Sequence, residues 1–187
     1  MEADEGPSQI KLKEQPMPET PKNRAIARCA CGSVEFTAIG APIASLVCYC
    51  DDCQEGSGQI GALPHAPPIQ DRDGGTAYIT YRKDRVECAK GAELLKRHKI
   101  KETSATNRVV ASCCNSAMAM TFDDARHWVP MYRARFQGDM PPLQIRICTK
   151  FKRGTDDLPD DVPSYPRYAL GFMAKLLAAR VAMLLRR

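Results

Sequence analysis

The stretch Val47-Cys48-Tyr49-Cys50-Asp51-Asp52-Cys53-Gln54 carries three cysteines within six residues. The chain holds nine cysteines. Seven fall into groups: Cys29-x-Cys31, Cys48-x-Cys50-x2-Cys53 and the adjacent pair Cys113-Cys114, leaving Cys88 and Cys148 single. A disulfide needs Cα atoms about 4.4–6.8 Å apart with facing Cβ vectors, which an extended C-x-C pair rarely meets. Zinc takes such close thiolates into a tetrahedron at about 2.3 Å per bond. The seven divide naturally as four plus three. Cys29, Cys31, Cys113 and Cys114 would close one tetrahedron and clamp two distant segments, as a structural zinc does. Cys48, Cys50 and Cys53 would hold a second zinc with its fourth position open to water or substrate.

Alternatives stay open at this point. Cys88 or Cys148 would complete the second set if that site is closed, or both groups would share one cluster. An iron–sulfur centre uses the same thiolates. Otherwise Cys88, on the strand face of Val86, reads as a core cysteine. Cys148, out of phase with Ile145 and Ile147, reads as a half-exposed free thiol. Zn²⁺ with three thiolates has a net charge of −1 and acidifies water weakly, so an open site of this kind favours a soft fourth ligand such as a thiol. Asp51 and Asp52 flank the ligands, as groups that orient them or carry protons, or as an ordinary turn in water. No P-loop, glycine-rich dinucleotide motif or serine triad is present.

The elements that must position these thiols are mostly short strands. Residues 33–37, 76–81, 85–89, 107–112, 117–122 and 143–148 read as strands, separated by turn signals such as Asp73-Gly74-Gly75 and Lys90-Gly91. No long helix is expected within 24–150, which points to a mainly antiparallel β domain. Residues 1–23, with four prolines among polar side chains, read as a disordered leader. Residues 24–153 form the β domain, and 154–166, with four Asp and three Pro, a linker. Residues 167–187 are rich in Ala, Leu and Met and read as a C-terminal amphipathic helix. Lys175 and Arg180 inside it oppose a membrane span, at about 2.5–3.5 kcal/mol each near a bilayer centre.

The 187 residues carry a formal net charge of +5, and 167–187 alone hold five bases and no acid. The remaining chain is close to balanced, which argues against a nucleic-acid partner. The helix is expected to pack on the domain, on a protein partner or on a membrane surface. Lys96-Arg97-His98-Lys99 with Lys101 reads as a solvated strand or loop, or as a landing site for carboxylates. Glu2, Asp4 and Glu5 open the chain without an apolar stretch, so a reducing, cytoplasmic location is expected.

The segments Arg28-Cys29-Ala30-Cys31-Gly32-Ser33-Val34-Glu35-Phe36 and Cys48-Tyr49-Cys50-Asp51-Asp52-Cys53-Gln54 resemble the opening of the glutathione-dependent formaldehyde-activating enzyme family, whose zinc domain is shared with centromere protein V. Arg108 to Ser116 resembles the strand and knuckle that complete its first zinc site, and the resemblance spans roughly Arg24 to Cys148. It implies an Mss4-like β fold with zinc knuckles, a structural zinc, a three-cysteine zinc and carbon–sulfur lyase chemistry joining glutathione to formaldehyde. One departure is visible. Where the family has C-x-x-C-G, this chain has Ala111, then Cys113-Cys114, then Asn115. Cys114 matches the second family ligand, Cys113 would supply the missing one, and Asn115 tolerates the left-handed turn. An uncharacterised bacterial branch shares this CCN-[ST] form.

His65, His127 and Trp128 are candidates for a pocket mouth or for ordinary loop packing. Two functions follow: a thiol-binding zinc enzyme acting on a small aldehyde, or a non-catalytic zinc-stabilised module docking through the C-terminal helix. Both require metal. Elemental analysis of protein purified without chelator is expected to give two zinc ions per chain. Iron with sulfide, or one zinc that stays at one after zinc reconstitution, would refute the four-plus-three division.

Overall fold

In Tyr78-Ile79-Thr80-Tyr81 all four side chains are buried. A strand sends successive side chains to opposite faces, so this strand has a packed layer on each side. Tyr78 joins one apolar cluster, and Ile79 and Tyr81 join another. That strand lies in the middle of a three-layer arrangement, described here by a computed structural model of residues 24–185. The leader expected at 1–23, together with Arg186 and Arg187, lies outside the described residues.

The strands are β1 (Arg24–Arg28), β2 (Glu35–Ile39), β3 (Ala44–Cys48), β4 (Thr76–Arg82), β5 (Val86–Lys90), β6 (Leu95–His98), β7 (Thr106–Ala111), β8 (Ser116–Phe122), β9 (Trp128–Tyr132) and β10 (Ile145–Ile147). Two helices accompany them, α1 (Asp51–Gly61) and α2 (Leu170–Leu184). A small sheet has the order β1-β2-β5 and a large one β10-β3-β4-β9-β8-β7-β6. The pairs are antiparallel except β10 with β3, which run parallel with Ile147 beside Cys48. One cluster, with Val34, Phe36, Ile79 and Met131, contains side chains of both sheets. The other joins Leu46, Tyr78, Met120 and Tyr132 of the large sheet to Ile60 of α1 and Phe172 and Leu176 of α2.

The mainly β fold with a C-terminal helix is the one expected. Helix α1 corrects the expectation of no long helix before residue 150. Its glycines at 56, 58 and 61 each cost roughly 1 kcal/mol in a helix interior, which hides it from propensity. Tertiary contacts override that cost. Buried Gln54 donates from Nε2 to the carbonyls of Tyr49 (2.6 Å) and Phe151 (2.8 Å) and accepts from the amide of Arg153 (3.0 Å). A Cβ at Gly56 would lie 1.9 Å from Nε of Arg108, so only glycine admits that side chain.

Residues 154–166, expected as a linker, run against β10 in this structure. The Arg146 amide donates to Pro163 O and the Tyr165 amide to Arg146 O, each at 2.9 Å, while Arg146 pairs with Asp161. The chain then enters α2, whose Phe172, Leu176 and Met183 are buried. Buried His127 makes a 2.8 Å hydrogen bond from Nε2 to Leu176 O. The opposite face leaves Leu170, Leu177, Val181 and Leu184 exposed. No helix among the described residues is long and apolar enough to cross a membrane.

Because Phe172 is buried and Leu177 is 66% exposed, the two faces of α2 should respond differently. Phe172→Ala is expected to lower unfolding free energy by about 3 kcal/mol, and Leu177→Ala by less than ~0.5 kcal/mol. Denaturant titration of the metal-loaded protein measures both. Equal, small effects would mean that α2 is not part of the folded core.

Candidate metal centre

The first thiol set is built where the sheets meet. Cys29 follows β1, Cys31 lies in the turn into β2, and Cys113 and Cys114 lie in the β7–β8 turn. Gly32 (φ 75°) and Asn115 (φ 51°) supply the left-handed residues of the two turns. Asn115 thus takes the conformation expected at the position where the family has glycine. The four sulfurs all lie within 4.8 Å of one another. Cys29 is 3.5 Å from Cys31 and 3.8 Å from Cys113, Cys31 is 3.3 Å from Cys113, and Cys113 is 3.9 Å from Cys114. Four sulfurs at about 2.3 Å from one zinc stand roughly 3.8 Å apart, so the set matches such a tetrahedron. The neighbours of Cys29 and Cys31 favour charged sulfur, whereas burial and the other thiols push Cys113 up. The Val34 amide donates to Cys29 Sγ at 3.2 Å. Ser33, through its hydroxyl and then its backbone, lowers Cys31 to about 6.

The second set is made by a strand running into a helix. Cys48 ends β3, Cys50 is the N-cap of α1 and Cys53 sits in its first turn. Their sulfurs also lie within 4.8 Å of one another. Hydrogen bonds from Cys48 and Cys53 push the Cys50 thiol down, against the effect of burial, with the positive charge of Arg108 adding to this, while Cys48 and Cys53 are pushed up. The Tyr78 hydroxyl donates to Cys53 Sγ at 3.6 Å. A preformed anionic sulfur among thiols suits a soft divalent cation.

The single cysteines separate clearly. Cys148 is 2% exposed, not half-exposed. β10 ends at Ile147 and the backbone turns left-handed at Cys148 (φ 60°), so strand alternation stops one residue early and the thiol turns inward. It adjoins Cys48 but is not part of the three-sulfur set. Cys88 is half-buried against the cluster shared by the two sheets, makes a 3.3 Å contact to Lys90 O and belongs to neither set.

The three-sulfur set opens on a cavity of about 230 Å³. Its walls include Leu46, Met120, Phe122 and Trp128 from the large sheet and Phe172 and Leu176 from α2. Trp128, a candidate for the pocket mouth, lines this cavity; His127 packs edge-on behind it at 5.0 Å, and His65 is exposed and not among the lining residues. Asp52 lines the cavity, whereas Asp51 turns outward to Arg153. Arg108 was not singled out from sequence. It is 1% exposed and lines the cavity. Nη2 donates to the backbone oxygen of Asp52, while Nε and Nη1 have no hydrogen-bond partner among the described residues. Arg126 also lines the cavity but is engaged by Asp124 and by the Phe122 ring.

Two thiol sets able to hold metal, carried on a mainly β scaffold, define a metal-binding class of protein. The sequence model of the glutathione-dependent formaldehyde-activating enzyme family matches residues 24–136. The chain belongs to that family. Among curated proteins none matches the chain. A crystal structure of a Rhodobacter sphaeroides protein is similar to it at 16% identity and a TM-score of 0.45, over 74% of this chain and 98% of that one.

The two sets should differ in what their loss does. Cys31→Ser is expected to unfold or aggregate the protein, because structural zinc contributes on the order of 10 kcal/mol to small zinc modules. Cys50→Ser is expected to keep the fold, since Ser is a favoured N-cap, while the second metal is lost. Thermal melts and metal content read both. Equal loss of thermal stability would refute the division into a structural and an open set.

Proposed function

We propose that this chain is a two-zinc protein of carbon–sulfur lyase type. Cys29, Cys31, Cys113 and Cys114 would hold a structural zinc, and Cys48, Cys50 and Cys53, which line the cavity, would hold a second. There a thiol, glutathione being the one in the family's name, is joined to or released from a small aldehyde. The observation that carries this reading is the three-sulfur set opening on a largely apolar cleft. A divalent cation held there supplies one thing, stabilisation of a ligand's sulfur as thiolate near neutral pH.

The chain's own residues do the rest. The apolar walls exclude water, and a sulfur anion short of hydration is a better nucleophile. The carbonyl carbon accepts the sulfur's electron pair, the C–S bond forms, the carbonyl π pair moves to oxygen, and that oxygen takes one proton. Release runs the same steps backwards. Tyr78, hydrogen-bonded to Cys53, and Gln54, which ties α1 to the Tyr49 and Phe151 carbonyls, hold the thiols in place. A non-catalytic docking role draws support from the exposed Leu170, Leu177, Val181 and Leu184 of α2, but it leaves the cavity at the second thiol set without a use.

The test is calorimetry of the zinc-loaded chain with 2-mercaptoethanol and with its S-methyl ether, in two buffers of different ionisation enthalpy. About one proton released per thiol bound is expected at neutral pH, with the ether binding at least about tenfold more weakly. Equal affinities without proton release would remove the thiolate mechanism.

A further inference from the structure

Arg108 is a buried cation whose one printed hydrogen bond goes to a backbone oxygen. A buried cation without a partner costs several kcal/mol unless something pairs with it. That oxygen is not a carboxylate's, and Nε and Nη1 have no hydrogen-bond partner among the described residues. The buried Tyr132 hydroxyl on β9 lies close enough to feel the Arg108 charge. The backbone is shaped to keep the guanidinium there, because any side chain at residue 56 would displace it. Arg126, the other cavity cation, is already neutralised by Asp124.

Around this cation the cavity walls are mostly apolar, with Met120, Phe122, Trp128 and Phe172, while Asp52 and Thr106 also line them. A ligand that fills the space must therefore present apolar surface to the walls and an anionic oxygen to Arg108. Glutathione matches poorly. It carries two carboxylates, an ammonium and two amides, and burying polar groups without partners is unfavourable.

Resting on the thiol-binding reading above, the geometry points to a compact mercapto acid as the ligand of this site: one thiol for the three-sulfur set, an apolar body for the walls, and one carboxylate paired with Arg108. A fork of guanidinium donors and a carboxylate make short, charge-assisted bonds well matched in shape. Arg108 is thus assigned a part in substrate selection; the alternative is that it only balances the charge of the thiolates.

The experiment titrates the zinc-loaded chain with four thiols: 2-benzyl-3-mercaptopropanoate, its methyl ester, glutathione and 2-mercaptoethanol. Trp128 is the only tryptophan and lines the cavity, so its fluorescence reports occupancy alongside calorimetry. The benzyl acid is expected to bind about tenfold or more tightly than its ester, and more tightly than glutathione. In Arg108→Gln the acid-to-ester ratio should fall to about one while 2-mercaptoethanol still binds. Should that variant fail to fold, the wild-type ratio alone decides. Equal binding of acid and ester in the wild type overturns the role of Arg108. Glutathione binding as tightly as the benzyl acid overturns the apolar ligand class. Either failure with 2-mercaptoethanol still bound leaves the thiol-binding function standing, whereas no binding by any of the four thiols removes both.

Discussion

The approach of four sulfurs at one end of the molecule is the constraint on which the rest depends. Cys29 and Cys31 belong to the small sheet, and Cys113 and Cys114 to the β7–β8 turn of the large one. Their sulfurs, packed within 4.8 Å, fix one sheet against the other at the margin of the apolar cluster that both contribute to. Four thiols this close are stable together only when protons or a cation offset their charge. A metal held by these four sulfurs would couple its own binding to the docking of the two sheets. With that side of the large sheet closed, its other face is left to carry the helices and the cavity.

On that second face a single turn of chain does two jobs. The passage from β3 into α1 brings three thiols together, and the helix it starts supplies the glycine against which Arg108 lies. Strand β10 runs parallel to β3 so that Cys148 arrives beside Cys48. The chain from 154 onward then follows β10 before α2 crosses the cavity. The C-terminal helix therefore joins the wall of the site, and a change in how it packs would be felt at the cavity.

Much of this was legible because cysteine spacing and strand alternation are local properties. The strand windows at 76–81, 85–89, 107–112 and 117–122 coincide with β4, β5, β7 and β8 within a residue or so. The grouping of seven cysteines into four and three matches the two sulfur sets. What escaped was set by tertiary contact. β3 is buried at every position, so its Ala-Ser-Leu-Val-Cys shows no alternation. α1 is rich in glycine and is held by Gln54 and Arg108, both acting over long sequence separation. Cys148 was placed on the wrong face because a strand pattern was extended past a left-handed residue. The importance of Arg108 could not be read from Asn107-Arg108-Val109-Val110, since an arginine in a strand is ordinarily solvated and only the fold removes its water.

Among the described residues the large sheet ends at β6, Leu95-Lys96-Arg97-His98, whose outer row of backbone groups has no neighbouring strand there. An open edge of this kind is a template on which another chain can add. Lys96 and Arg97 are exposed there, and Lys99 and Lys101 follow directly. A second copy brought up edge to edge would set this row of cations against its own image, across a strand spacing of about 4.8 Å. The exposed Lys96 and Arg97 at that edge therefore oppose self-addition.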